Sequence, residues 1–263
     1  MIYITGDIHG NIKRFSKKAF PEQKELTCDD IIIILGDFGV IWSSDADKEE
    51  KYNLDILENK KYTIAFIDGN HENFDRLNSF PVIDWHGGNV HQIRSNVFHL
   101  MRGQIYDIEG KTFFAFGGAS SHDIKGCATP KELEADYTAG ILRRDDPDFE
   151  EKKRFCRKNE LIYRVEGESW WRQEIASEEE MEEGRRNLLA NNNEVDYIIT
   201  HCCATSTQEL IGRASDKPDR QTEYLESIKQ TVRFNKWFFG HYHDNRNMND
   251  KETLVYNEML RIS

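Results

Sequence analysis

An α/β fold built on a parallel sheet is the class this 263-residue sequence predicts, and two patterns predict it. Over the first 70 residues, short apolar runs rich in Ile and Phe alternate with charged segments of helical pattern. Such β-α-β alternation leads to parallel strands through right-handed crossovers. Each apolar run also stops at a polar loop of Gly, Asp, Asn or His. In open α/β sheets, ligands bind in those loops, beyond the carboxyl ends of the strands.

Ile2–Thr5 is the first expected strand, and Ile12–Ala19 the first helix, with Asn11 as its cap. The unbroken apolar run Ile31–Leu35 reads as a strand buried on both faces. Lys48–Asn59 follows as a charged helix and Tyr62–Ile67 as a third strand. Val97–Leu100, Gln104–Ile108 and Thr112–Phe116 are short runs with turns between them, read as an antiparallel meander.

From Gly117 to Glu183 the strand signal fades. Between Asp145 and Glu183 there are 14 acidic and 7 basic residues. A polar insertion at about 118–185 is expected, within a single domain of residues 1–263. It should contain helices and serve as a cap, because a loop of that length rarely stays structureless. Ser177-Glu178-Glu179-Glu180 is a capping box that opens a helix to about Asn191. Val195–Thr200 is a strand ending at His201, Thr222–Val232 a helix, and Lys236–Phe239 a strand ending at Gly240-His241-Tyr242-His243. Thr253–Asn257 and Met259–Ile262 close the chain as strands.

The net charge of −12 disfavours an extended nucleic acid or an anionic membrane surface as partner. No apolar run approaches the roughly 20 residues of a membrane helix. The opening residues carry no basic, cleavable leader pattern, so a cytoplasmic location is expected. Five cysteines with no C-x-x-C spacing suggest free thiols rather than a disulfide framework or a zinc knuckle.

The chemistry lies in the loops. Asp7-x-His9, Asp37, Asn70-His71, His201 and His241-x-His243 each follow an expected strand, and five of the nine histidines stand there. One Asp-x-His means little; five strand-end groups together point to a metal site. Carboxylate, amide and imidazole donors suit borderline first-row ions such as Mn, Fe, Zn, Co or Ni.

Taken in order, Gly6-Asp7-Ile8-His9-Gly10, Gly36-Asp37, Gly69-Asn70-His71-Glu72, Thr200-His201 and Gly240-His241-Tyr242-His243 resemble the five blocks of the calcineurin-like metallophosphoesterases. The resemblance runs from residue 5 to residue 243. It implies a four-layer αββα sandwich, two mixed sheets flanked by helices. It implies two divalent ions, manganese first, with iron, zinc, cobalt or nickel as alternatives. Asp7, His9, Asp37 and His243 would hold one ion; Asp37, Asn70, His201 and His241 would hold the other, with Asp37 shared. A water between the ions would become the hydroxide that attacks phosphorus in line. His71 would donate a proton to the leaving oxygen, with Glu72 either tuning it or merely exposed.

The Gly-Asn-His-Glu form is similar to the phosphoprotein phosphatase and diadenosine-tetraphosphatase branch, which favours a phosphomonoester or nucleotide substrate. That branch continues its second block with an Asp and a phosphate-binding Arg. Here the chain reads Gly36-Asp37-Phe38-Gly39-Val40-Ile41-Trp42, and both are absent. Their absence points the other way, to a phosphodiester such as a cyclic nucleotide or dinucleotide. The expected substrate is a phosphomonoester or nucleotide, with the phosphodiester as the alternative. Arg143 and Arg144, on the insertion, are the first candidates to replace the missing cation; Arg76 and Arg102 are others. Asn70 is a further candidate substrate contact. Trp42 offers a stacking surface, Trp170 and Trp171 read as packing residues, and His122 as a cleft or solvent residue. A scaffold that has lost catalysis is the remaining alternative. It is disfavoured because every block keeps its ligand and His71.

Overall fold

The computed structural model describes residues 1–122, 124–129, 131–132, 137–212 and 217–263, the side chains of residues 137 and 138 excepted. Two large mixed sheets stack face to face. The first runs β15(Leu260–Arg261), β1(Ile2–Thr5), β2(Ile31–Leu35), β3(Thr63–Ile67), β6(Val97–Leu100), β5(Gly88–Arg94), β4(Val82–Trp85). Its four central strands β1, β2, β3 and β6 are parallel, with antiparallel neighbours at both edges. The second runs β13(Arg246–Asn247), β14(Glu252–Leu254), β12(Arg233–Phe239), β11(Glu194–Thr200), β8(Lys111–Phe116), β7(Gln104–Ile108), again parallel in the middle.

Strand periodicity divides the apolar runs between two cores. Ile2, Ile4, Ile31, Ile33 and Leu35 face Phe113, Ala115, Ile199 and Phe238 of the other sheet, and together they form the inner core. The alternate residues Tyr3, Ile32, Ile34, Ile64 and Phe66 face outward and are covered by Leu54 and Leu57 of α1(Lys48–Glu58). On the far side, Phe114, Phe116, Ile198, Trp237 and Phe239 pack under α4(Glu178–Ala190) and α6(Arg220–Thr231), which contribute Met181, Leu188, Leu225 and Ile228. This is the expected four-layer αββα order. Each such apolar side chain contributes about 1.5–3 kcal/mol by leaving water.

Two local expectations are corrected, and one hairpin is added. Ile12–Ala19 is not an α-helix but a 3₁₀ turn, Ile12–Phe15, capped by Asn11 as read. The chain turns extended at Ser16, whose carbonyl and hydroxyl both accept the Ala19 N–H, a tight turn that ends the helical course. The expected meander is divided between sheets. Val97–Leu100 lies parallel to β3 in the first sheet, and only β7 and β8 form a hairpin, in the second. The crossing occurs through Met101–Gly103, where Gly103 takes φ +76°. The hairpin β4–β5 escaped the sequence reading. Its two-residue turn, His86-Gly87, has both residues at positive φ, the primed geometry that suits strand twist.

The described part of residues 118–185, the segment expected as an insertion, contains α3(Phe149–Lys158), a two-stranded parallel ribbon β9(Ile141–Leu142) and β10(Arg164–Val165), and a 3₁₀ turn Arg172–Glu174. Residues 123, 130 and 133–136 of it lie outside the described residues. It has a small core of its own, Trp170 against Ile124 and Ile141. Trp170 and Trp171 are both buried, which agrees with their packing role. The predicted capping box is formed as read: Ser177 accepts the Glu180 N–H, and Glu180 accepts the Ser177 N–H. Among the described residues, α2(Phe74–Leu77) and α5(Thr205–Ile211) are further short helices.

Candidate metal centre

All seven residues expected as ligands follow the carboxyl ends of β1, β2, β3, β11 and β12, and the stacked sheets bring those ends together. Asp7 Oδ1 accepts the backbone N–H of His241 at 3.0 Å, joining the first sheet to the second. His201, at the end of β11, places Nδ1 2.7 Å from the Leu35 carbonyl at the end of β2. A carbonyl only accepts, so Nδ1 carries a proton, and Nε2 is left to carry a second proton or to hold a metal ion. That Nε2 lies 3.3 Å from Asp37 Oδ1 and 3.2 Å from Asn70 Oδ1.

The other half of the cluster is equally tight. Donor atoms of Asp7, His9, Asp37 and His243 all lie within 4.8 Å of one another. His9 Nε2 is 3.0 Å from His243 Nε2, and His243 Nε2 is 3.1 Å from Asp7 Oδ2. Asp7 Oδ2 is buried and accepts no hydrogen bond. A buried carboxylate oxygen without a donor is costly unless a cation meets it. That orphaned oxygen and the converging imidazoles fit a divalent ion.

The loops are shaped at a cost. His9, Asp37, His241 and His243 have φ between 47° and 69°. Such backbone costs on the order of 1–3 kcal/mol per residue, and it aims side chains where regular strands cannot. Gly69 is required by close approach: a Cβ there would lie 2.0 Å from Asp37 Oδ1.

Charge follows the geometry. Burial opposes ionisation of Asp37, but His201 beside it, with His71 and His9, holds the carboxyl well below the usual carboxylate range. Burial likewise opposes protonation of His201, yet Asp37 raises it to about 10. Without an ion the two form an imidazolium–carboxylate pair. A divalent ion held here would take the proton's place electrostatically, as metal binding to imidazole releases protons. His241 is pushed well below the ordinary imidazole value by burial and by its neighbours His201 and His122.

His71 borders an open cleft of 360 Å³ that also takes in His9, Gly39, Trp42, Asp47 and Glu50. Its ring centre is 5.2 Å from that of His9 and 6.0 Å from that of Trp42. Trp42 meets Trp171 of the insertion edge-on at 5.6 Å. Glu72 is buried and accepts the backbone N–H groups of Phe38 and Gly39 at 2.7 and 3.2 Å. It supports the loop after Asp37 and is not the exposed carboxylate weighed from the sequence. Burial and the nearby Asp37 charge raise its carboxyl well above the ordinary range.

The arginines named as substitute cations are all held by carboxylates. Arg143 pairs with Glu166 at 2.8 Å and Arg144 with Glu168, both within the insertion. Arg76 makes a two-pronged pair with Glu50, and Arg102 is buried on Asp68.

Several supporting groups carry no signal in the sequence. Arg14 donates to Thr5 Oγ1 and to the carbonyls of Gly6, Asp7 and Tyr256, stapling the first ligand loop. Asp68, His99 and His91 form a buried chain with contacts of 3.1 and 2.9 Å. These partners are distant in sequence, and no local pattern announces them.

Residues 1–245 match the calcineurin-like phosphoesterase family. The chain belongs to that family. It is a metal-dependent phosphoester hydrolase, and the family implies a dinuclear divalent centre. Among solved structures, phosphopantetheinyl hydrolase PptH from Mycobacterium tuberculosis is similar at 15% identity with a TM-score of 0.42, covering 97% of this chain and 89% of that one. No curated protein matches the chain. Among the described residues of this phosphoesterase, no helix is long and apolar enough to cross a membrane.

Proposed function

We propose that this phosphoesterase hydrolyses small phosphodiesters, the cyclic nucleotide or dinucleotide class. In this reading Asp7, His9, Asp37 and His243 hold one divalent ion, and Asp37, Asn70, His201 and His241 hold a second, with manganese the ion of first choice. The observation that supports the substrate class is the charge of the cleft. Asp47, Glu49 and Glu50 line it, and among the described residues no arginine or lysine does. A dianionic monoester calls for a two-pronged cation; a diester carries one charge less.

When bound, the two ions supply positive charge to the phosphoryl oxygens and acidify a water for in-line attack. The chain's own groups do the rest. Asp37, kept ionised by the surrounding imidazoles, balances the charge between the two ions. His71 is the proton donor to the leaving oxygen, fixed by its backbone bond to Asp37. Trp42 offers a flat wall beside His71 for a base or aryl leaving group. The insertion serves as a cap within a single domain, a reading supported by the contact of Trp171 with Trp42. Free thiols at all five cysteines support a reducing, cytoplasmic setting.

A phosphomonoester or nucleotide substrate is the second reading, favoured by Gly69-Asn70-His71-Glu72, the form of the phosphatase branch. The discriminating experiment compares p-nitrophenyl phosphate with bis-p-nitrophenyl phosphate in Mn²⁺, with Asp37→Asn as control. Preferred turnover of the diester supports the proposal. Preferred turnover of the monoester overturns it in favour of the second reading.

A further inference from the structure

The insertion does more than stand near the site: its first residues touch two of the donors assigned to the second ion. Ser121 Oγ accepts the Asn70 Nδ2–H at 3.2 Å. Ser121 is itself gripped by Glu174, from the far end of the insertion. The Ser121 N–H donates to Glu174 Oε1 at 3.0 Å and its hydroxyl to Oε2 at 2.5 Å. Glu174 is completely buried and Ser121 nearly so. The next residue, His122, places Nε2 2.7 Å from His241 Nε2.

Hydrogen-bond direction gives these contacts meaning. The Ser121 hydroxyl spends its only proton on Glu174, so toward Asn70 it can only accept. The Asn70 NH₂ must therefore face Ser121, and its carbonyl oxygen is turned to His201 Nε2, the side of the metal centre. An amide flipped the other way would set two acceptors, Oδ1 and Oγ, against each other. Between His122 and His241, one nitrogen carries hydrogen and the other a lone pair. If His122 accepts, His241 is protonated at Nε2 and keeps its Nδ1 lone pair; if His122 donates, His241 keeps the Nε2 lone pair, so the state of His122 sets which nitrogen of His241 is open to a metal.

We propose that Glu174, Ser121 and His122 are positioning residues for the second ion: Glu174 through Ser121 selects the orientation of the Asn70 amide, and His122 selects the tautomer of His241. The inference rests on the dimetal reading above and adds to it. One ion has a donor set supported by the sandwich alone. The other depends on a docked insertion, so loss of insertion contacts weakens one ion and spares its neighbour. Outer contacts of this kind change metal affinity about 10–100-fold.

The test is titration of the metal-free full-length protein with Co²⁺, followed by calorimetry and by the visible absorption of the bound ion. The variants are Ser121→Ala, His122→Ala and His122→Gln, the last keeping an acceptor oxygen near the Nε2 position. Melting of each metal-free variant separates folding from binding. The expected result is two ions in the unsubstituted protein. In both alanine variants the first ion binds unchanged, the second binds 10–100-fold more weakly, and its absorption band shifts; His122→Gln restores part of the affinity. Second-ion affinity within twofold in both alanine variants, at unchanged melting temperature, overturns the inference. So does an equal loss of both ions. An unsubstituted protein that takes up fewer than two ions overturns the dimetal reading and this inference with it.

Discussion

The Asp37 carboxylate accepts the backbone N–H of His71 at 2.8 Å. The residue assigned to both ions thus anchors the loop carrying the assigned proton donor. Asp37 Oδ1 also lies 3.3 Å from His201 Nε2, so one oxygen links the ends of β2, β3 and β11. Catalytic placement and metal placement are coupled through this oxygen, and they can be separated by substitution.

His71→Ala removes the ring and keeps the backbone N–H that Asp37 accepts. The expected outcome is retention of both ions with turnover lowered about 10²–10⁴-fold. The loss should be largest for poor leaving groups, which need the proton most. Comparing kcat for p-nitrophenyl and alkyl esters, with metal content by elemental analysis, checks this. Equal loss for both leaving groups removes the proton-donor role.

Asp37→Asn keeps the shape and removes the charge. Both ions should be lost or bound much more weakly, because the assigned centres share this carboxylate. Metal content after dialysis is the readout. Two ions retained with normal turnover contradict the sharing.

Gly69→Ala drives a methyl group to 2.0 Å from Asp37 Oδ1 and 2.3 Å from the Asp37 nitrogen. Backbone and ligand must both shift. The expected destabilisation is about 1–3 kcal/mol, as for an overpacked core, with weakened metal binding. Chemical denaturation of the metal-free protein measures the first effect and Co²⁺ titration the second.

Arg14→Leu leaves the carbonyls of Gly6, Asp7 and Tyr256 without the guanidinium they share. Loss of charge-assisted bonds at this partly buried position should cost about 1.5–3 kcal/mol. Urea unfolding of the metal-free protein checks it; a change under 0.5 kcal/mol, roughly the scatter of ordinary surface substitutions, would show that water replaces the staple.

His91 gives a pH-dependent stability of predictable sign. Burial and the neighbouring His99 push it down to about 4 from the ordinary 6.5. Between those values the unfolded chain binds a proton that folded His91 does not. Stability is therefore highest above pH 6.5, falls as pH drops toward 4, and gains no further loss from this group below that. The contribution is about 3 kcal/mol across the whole window, of which about 2 kcal/mol falls between pH 7 and pH 5. His91→Gln should flatten that part of the stability–pH curve, measured by urea unfolding at pH 7 and pH 5.

The sequence by itself determined the strand ends and what stands on them. Ile2–Thr5, Ile31–Leu35 and Val195–Thr200 were legible because a buried strand is a local apolar run. The Gly-Asp and His groups after them were legible because ligand loops begin where such runs stop. The Ser177 cap of α4 could be read for the same reason, since all its atoms lie within four residues. Only the tertiary structure decided matters that depend on partners far along the chain. It assigned Val97–Leu100 to the first sheet, because pairing with β3 satisfies its backbone there. It bound Arg143 and Arg144 to Glu166 and Glu168. It buried Glu72 beneath the Asp37 loop, set Arg14 across three carbonyls, and brought Ser121 and His122 onto Asn70 and His241. Hydrogen bonds and ion pairs between remote residues leave no periodic trace, since nothing about an isolated Arg or Glu names its partner. The apolar pattern sets the layers, and the layers choose which polar groups meet.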